Sequence, residues 1–426
     1  MLTNRRHLFD GLFIAVLIVY LLAGIRAAPF HGDESTIIYM SHDWWTLWRD
    51  PLSLRYQPDI SPSPAAMDQD LRVLNGVLSK YAIGALLSAA GFPESALNTP
   101  WNWEIDWWEN LYYGALPSLP VLFISRLSSV LFAALGLSLF FAAAKKLLGR
   151  GGGHLATLIL ALLPAFLLNS RRAMFEGASL FGMGFLLVVT LRLLQRPDQR
   201  WRWVGLGVAA GLVVAAKHTG VFWAASIGIV MMAYGLKRPA WFTANAGLSV
   251  LVALGVFFAL NPVWWGDPTQ APSLIRRRAG LFSGQIKEAD MLFATPLDRV
   301  VGLVALPVGP PQYEEDYRHN WRDYIGPEID LYEDSVVRGR AWPLSLATAF
   351  ALIGFVVLNI RRQAVAFAVI GLFVFNALVL LFVNPLAWQR YYLPLAMPLA
   401  LLMAAGIVTL ARALSRLISR RSPHAR

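Results

Sequence analysis

The chain's apolar residues are gathered into long runs separated by short charged stretches. Runs of about 16–22 residues recur, most of them flanked by Arg or Lys, and each is long enough to cross a hydrocarbon slab of roughly 30 Å. They predict helices over 9–25, 120–142, 154–169, 175–193, 203–217, 219–236, 241–260, 342–360, 364–383 and 391–411. The expected fold class is all-α and polytopic, with about ten transmembrane helices (roughly nine to twelve). The pair 203–217 and 219–236 is short and joined through Lys217-His218-Thr219, which fits a re-entrant or tilted hairpin as well as two spans. The first run follows Arg5-Arg6-His7 in the manner of a signal peptide, but Arg26 interrupts the small residues at Ala27-Ala28. A retained first helix is expected.

Two stretches between the runs, 26–119 and 261–341, are too long to be connectors. Both are rich in Trp and Tyr, which argues against disorder. Within the first, Leu71 to Phe92 is mostly apolar and amphipathic, broken by Lys80 and Gly84. It reads as an interfacial helix lying on the membrane; if it spanned, everything downstream would invert. Amphipathic juxtamembrane helices are thus expected in the long loops. No internal repeat, low-complexity tract or soluble domain is visible. Residues 1–411 read as one transmembrane domain, and 412–426 as a basic cytoplasmic tail.

Composition agrees: 57% of residues are hydrophobic and 15% charged, against about 25% charged in a soluble domain. A net charge of +11 could point to nucleic acid, but the bases sit at the ends of the apolar runs and no nucleic-acid partner is expected. They fall where cytoplasmic loops are expected to be positive. Arg5, Arg6, Lys145, Lys146, Arg150, Arg192, Arg196, Arg200, Arg202, Lys237, Arg238, Arg361, Arg362 and the tail arginines share those pieces with only Asp10 and Asp198. Both long loops then lie outside, away from the cytoplasm. The absence of Cys excludes disulfides, thiolate nucleophiles and Cys metal sites. Scattered His residues make a His-based metal site unlike this chain.

Chemistry-bearing residues gather at the outer helix ends. His31-Gly32-Asp33-Glu34 follows the first helix, and two carboxylates there are placed to accept a proton from a substrate hydroxyl. Alone, such a pair is usually a solvated helix end. Three further outer ends strengthen it: Asn169 to Glu176, Lys217-His218, and Asn384 to Tyr392. Ionisable residues at membrane depth are costly and are functional candidates by default. Against that stand plainer roles: Arg171, Arg172 or Lys217 snorkelling to lipid phosphates, Arg390 anchoring a helix, Trp264-Trp265 forming an interfacial belt, and Arg276-Arg277-Arg278 being solvated or binding headgroups.

These motifs resemble the C-type glycosyltransferase superfamily, and more narrowly its dolichyl-phosphate-mannose-protein mannosyltransferase and aminoarabinose transferase-like families. The resemblance is carried by HGDE after the first helix, SRRAMFE after the third, GLGVAAGLVVAAKHTG in the short hairpin and RYYLPLAMPL at the last helix. It implies an enzyme moving a sugar from a polyprenyl-phosphate donor to a lipid, glycan or protein acceptor outside the cytoplasm, at the plasma membrane. It maps the catalytic base onto Asp33, with Glu34 beside it, and an acidic site residue onto Glu176. This chain departs from larger members in lacking a sizeable soluble C-terminal domain and in carrying the Trp101 to Trp108 cluster.

A lipid phosphate leaving group needs little protonation, since its second pKa is about 6. Arg171, Arg172, Lys217 and Arg390 are therefore expected to hold donor phosphate, replacing a general acid. His31, Glu176, His218 and Tyr391, in the same motifs, are expected to contact substrate, and a single displacement with inversion follows. Carboxylate and phosphate oxygens would suit Mg²⁺ or Mn²⁺ near Asp33 and Glu34, although no ligand set is spelled out. The competing readings are a multi-pass secondary transporter, a non-catalytic scaffold, and a transferase using a lipid-diphosphate oligosaccharide. Transporters usually carry repeats and mid-helix polar breaks, which this chain lacks.

Overall fold

A computed structural model describes residues 2–57, 64–235, 239–288, 291–313, 321–360 and 364–420. The first apolar run is α1 (Leu2–Ala23), and five short helices fill the first long loop: α2 (Gly32–Met40), α3 (Asp43–Arg49), α4 (Pro64–Leu74), α5 (Leu78–Ala89) and α6 (Trp107–Tyr112). The bundle continues through α7 (Leu119–Leu162), α8 (Pro164–Arg171), α9 (Glu176–Gln195), α10 (Arg200–Ala216), α11 (Gly220–Gly235) and α12 (Pro239–Leu260). The second long loop holds α13 (Ala271–Glu288), α14 (Pro296–Val308) and α15 (Trp321–Asp334). The chain then closes the bundle with α16 (Leu344–Ile360), α17 (Ala364–Val383), the short α18 (Gln389–Tyr392) and α19 (Ala396–Arg420). Among the described residues the fold is all-helical, with one isolated backbone bridge between Leu292 and Leu386.

Six of these helices are long and apolar enough to cross a membrane: α1, α7, α9, α12, α17 and α19, while α11 and α16 are apolar but shorter. A helix in the centre of a bundle is apolar all round, and one at its edge shows most of its surface to lipid. Accordingly α9, with 78% of its span buried, is the hub, whereas α1 (17%) and α12 (11%) face outward. α7 packs on α9 and α19, α16 on α19, and α10 on α9 and α12. Gly149 has φ +78° and splits α7 into two arms, so that the run divides at a tight turn as the sequence pattern requires. Beside that turn Asp10 pairs with Lys145 and Arg150, both at 2.8 Å. Lys237, Arg238, Arg361, Arg362, Arg421 and Arg426 lie outside the described residues.

The two long loops meet at the opposite end of the bundle. Phe30, Trp101 and Trp107 of the first share one apolar core with Ile325, Ile329 and Tyr332 of the second. Tyr56 N–H donates to the Val263 carbonyl at 3.1 Å, and Arg277 pairs with Asp70 at 2.5 Å. One expectation needs correction here. Leu71 to Phe92 is not a single interfacial helix; it divides between α4 and α5 at Asn75–Val77, where Val77 N–H donates to the Ala215 carbonyl at 2.7 Å. Across the break, buried Asp43 pairs with both Arg72 of α4 and the buried Lys80 of α5. At about 18 Å, α5 is too short to cross the membrane.

Close helix contact at α16 and α19 depends on Gly354, where a Cβ would fall 1.9 Å from the Leu402 carbonyl oxygen. Gly354→Leu should therefore cost about 1–3 kcal/mol or more through overpacking. A lower thermal-unfolding midpoint in detergent is the expected readout; an unchanged midpoint would contradict the close packing.

Candidate functional site

The loop after α1 is brought into a helix by its own polar residues. His31 is the N-cap of α2: its Nδ1 accepts from Asp33 N–H at 3.2 Å while Glu34 Oε2 accepts from His31 N–H at 3.1 Å. This is a capping box. It turns the two neighbouring carboxylates apart. Asp33 remains partly open and accepts from Arg390 of α18, and its Oδ2 lies 3.9 Å from His31 Nδ1. Glu34 is fully buried. Arg126 of α7 holds it with two hydrogen bonds of 2.7 Å, and Ala173 N–H donates to Oε1 at 2.7 Å. Arg126 also donates to the Ile25 and Ala28 carbonyls, at 3.0 and 2.8 Å. Glu34, expected as a second catalytic carboxylate, therefore has its oxygens consumed by a buried network and works as a buttress.

At Arg390, the partner of Asp33, opens a cleft of about 80 Å³ between α9, α11, α17 and α18. Its polar rim is Glu176, Lys217, Asn384, Arg390 and Tyr391, and its walls are Leu180, Met183, Phe222, Val379, Leu380 and Val383. Glu176 starts α9, where a helix dipole favours a carboxylate, and accepts from Lys217 Nζ at 2.7 Å. Its other oxygen is buried without a partner among the described residues. The Tyr391 ring lies between two cations, 5.1 Å from Lys217 Nζ and 5.6 Å from the Arg390 guanidinium. Arg390 also rests 4.9 Å from the Trp388 ring. The rings keep like charges apart while stabilising both.

Asp33, Glu176, Lys217, Arg390 and Tyr391 are thus brought together; the other expected phosphate ligands are not. Arg171 is fully buried and spends its guanidinium on the Tyr20, Leu21 and Val337 carbonyls and the Tyr332 hydroxyl. It staples α1 to the second loop. Arg172 is equally buried, donates from Nε to the Pro29 carbonyl at 3.2 Å, and is absent from the cleft wall. His218 points away too, accepting from Arg278. Burial, with Arg278 and Lys80 nearby, pushes its pKa down to about 3, so it stays neutral.

Sequence reasoning passed over Arg126 and a buried charge cluster, and gave Arg278 only a solvated or headgroup-binding role. Arg126 was detectable as a lone cation within an apolar run. Arg278 leans inward from α13, donating to the Val73 and Leu74 carbonyls at 3.0 and 2.9 Å. Phe282 and Gln285, on the same helical face, reach the cleft wall and the Tyr391 hydroxyl. Asp43, Arg72 and Lys80 form a buried cluster whose members come from three separate helices. Burial alone would raise the Asp43 carboxyl, but Lys80 and Arg72 hold it far below the usual carboxylate range. Among the described residues no group of three His, Asp or Glu side chains converges to hold a metal. Of the two carboxylates named for a possible Mg²⁺ or Mn²⁺, Glu34 is committed to Arg126 and Asp33 accepts from Arg390.

The same arrangement of helices occurs in solved membrane enzymes. ArnT from Cupriavidus metallidurans, bound to undecaprenyl phosphate, matches with a TM-score of 0.55 and 16% identity over 94% of this chain and 60% of its own. The Archaeoglobus fulgidus oligosaccharyltransferase AglB, in complex with an inhibitory peptide and a dolichol-phosphate, matches at 0.50 and 12% over 98% of this chain and 52% of its own. The apo oligosaccharyltransferase from that organism gives 0.51 and 13%, over 96% and 52%. The chain therefore spans 60% of the length of ArnT and about half of the archaeal enzyme. No protein-family model matches it, and no curated protein sequence does. The likeness is one of fold: the helices of this chain are arranged as in ArnT and the archaeal oligosaccharyltransferase.

Two stability predictions follow from the buried pairs. Glu34→Gln leaves Arg126 uncompensated and should destabilise the protein by about 3–5 kcal/mol, read as a drop in thermal-unfolding midpoint. Asp43, with its pKa depressed, contributes stability that is full above the unfolded carboxylate pKa of about 4 and fades as pH falls through the folded value. Asp43→Asn should remove that contribution at neutral pH, so that denaturation midpoints of the two proteins converge only in strong acid.

Proposed function

We propose that the protein is a membrane glycosyltransferase that moves a sugar from a polyprenyl-phosphate-linked donor to an acceptor on the extracytoplasmic side. The observation that carries this reading is the meeting of Asp33, still partly open, with Arg390 at the rim of an apolar-walled cleft. The cleft suits a ligand with one anionic end and one hydrocarbon end. Its apolar walls would take the lipid next to the phosphate, and its rim would take the charge. Two cations, Lys217 and Arg390, line the cleft, each held by one carboxylate, Glu176 and Asp33, that an incoming anion could displace. ArnT bound to undecaprenyl phosphate and AglB in complex with a dolichol-phosphate, which share the fold, support a lipid phosphate as that anion.

In the proposed reaction the acceptor hydroxyl attacks the anomeric carbon as the bond from that carbon to the phosphate oxygen breaks. Asp33 takes the hydroxyl proton, and the electron pair of the broken bond stays on the phosphate. Lys217 and Arg390 stabilise the charge that develops there. Attack from the face opposite the leaving group inverts the anomeric centre. Arg390 has a second duty: without donor it neutralises Asp33, and phosphate competing for the guanidinium would release the carboxylate to act as base. We further propose that the chain crosses the plasma membrane about ten times, its short helices α10, α11 and α16 included, with both long loops outside. The acceptor is a lipid, glycan or protein hydroxyl or amine.

The test is transfer in proteoliposomes supplied with polyprenyl-phospho-sugar. Asp33→Asn should lower turnover by about 10²-fold or more while leaving binding of the donor intact. Arg390→Ala should weaken donor binding as well as turnover. Wild-type transfer by Asp33→Asn would remove the base assignment.

A further inference from the structure

The segment between the first loop and α7 ends in an aromatic foot that the reaction does not use. Trp107 points inward, its ring 4.9 Å from Trp101 and 5.9 Å from Phe30, stacked on Tyr324 at 5.6 Å. The next residues point out. Trp108 is 59% exposed, Tyr112 77% and Tyr113 63%, and Leu111 and Leu116 are also exposed. Trp108, Leu111 and Tyr112 stand at i, i+3 and i+4, so they share one face of α6. Leu119, 80% exposed, follows within a few residues and opens the apolar run of α7.

We infer that this foot is embedded in the interfacial layer of the outer leaflet and fixes the height of Asp33 above the lipid. Three observations carry the inference. The patch lies next in sequence to the exposed residues Ser118, Leu119 and Pro120, which open a helix long and apolar enough to cross a membrane, and this makes the bilayer its neighbour. Trp and Tyr, with apolar bodies and polar tips, favour that layer over either water or hydrocarbon. The foot is also wired rigidly to the helix that bears Asp33. Asn98, nearly buried, donates through Nδ2 to the carbonyls of Ser35 at 3.0 Å, Thr99 at 2.7 Å and Ala115 at 3.3 Å. Thr99 N–H donates to Gly114 O at 3.1 Å and its hydroxyl to Tyr113 O at 2.8 Å. Ser35 lies two residues beyond Asp33 in α2, so the foot and the carboxylate move together. An acceptor group and a lipid-held phosphate meet at one height only, and the foot sets it. That consequence rests on the transferase reading; the anchoring itself does not.

The chain has no Cys, so single-site labelling needs no background substitutions. A nitroxide on Tyr112→Cys in phosphatidylethanolamine–phosphatidylglycerol liposomes should collide more often with oxygen than with a water-soluble nickel chelate. On Glu104→Cys, in the exposed polar turn before α6, the order should reverse. Preferential quenching by the nickel chelate at 112 would overturn the proposal. So would dipolar broadening between labels at 112 that disappears on dilution with unlabelled protein, which would make a second copy of the chain the occupant. A Trp108→Ser/Tyr112→Ser/Tyr113→Ser variant should lose transfer by about tenfold or more with its thermal-unfolding midpoint retained. Unchanged transfer by this variant would refute the height-setting role. If the unaltered chain transfers nothing while label 112 sits in lipid, the anchor stands and the transferase reading falls.

Discussion

The buried pair between Glu34 and Arg126 is the interaction on which the site depends. Arg126 enters from the membrane bundle, and Glu34 comes from the first turn of the loop helix. Ionised groups so deeply buried persist only when their hydrogen-bonding capacity is filled, and here it is filled from both sides. Glu34 takes two bonds from the guanidinium and one each from the Ala173 and His31 amides, while Arg126 also binds the Ile25 and Ala28 carbonyls. One pair thereby fixes the end of α1, the start of α2 and the bend after α8. Asp33 is adjacent in sequence, so its backbone has no freedom left. A soft loop has become a rigid bracket.

The same economy divides the remaining cations into two groups. Arg171 is buried among carbonyl oxygens, where it holds α1 to the second loop, whereas Arg172 is buried with only Nε bonded, to the Pro29 carbonyl, and its two terminal nitrogens have no hydrogen-bond partner among the described residues. Lys217 and Arg390 stay at the cleft, each balanced by one carboxylate and flanked by the Tyr391 ring. Arg171, its nitrogens all bonded to carbonyls and the Tyr332 hydroxyl, has little left for a phosphate, whereas an ion pair at a rim can exchange one anion for another. Placement, more than charge, separates structural cations from reactive ones.

That division explains what the sequence could and could not disclose. Run length and flanking bases made the polytopic fold legible, because a bilayer imposes helices of a minimum length. The charged helix ends were legible as candidates, because ionisable groups near hydrocarbon are rare without a purpose. Which of Asp33 and Glu34 is free was also written locally, in the His31-x-x-Glu34 spacing of a capping box. The fates of Arg171 and His218 were not. Arg171 meets Tyr332 and Val337, more than 150 residues away in the chain, and His218 owes its neutrality first to burial and then to Arg278 on a loop helix. Long-range partners leave no periodicity to read.

Arg390 itself depends on the second loop. Gln312 and Gln389 exchange bonds: Gln312 N–H donates to Gln389 Oε1 at 3.1 Å and Gln389 N–H to Gln312 Oε1 at 2.7 Å. The Gln389 amide also donates to the Leu306 and Pro310 carbonyls, at 2.9 and 2.8 Å. On the other side of α14, Phe293 N–H donates to Pro385 O at 3.2 Å and Ala387 N–H to Met291 O at 2.9 Å. The segment that delivers Arg390 is therefore clasped from both ends of α14, just as the segment that delivers Asp33 is clasped by Arg126. A carboxylate from one long loop and a guanidinium positioned by the other meet only when both loops are docked. Neither loop carries a complete site, and the membrane bundle serves chiefly to hold the two halves at a common edge.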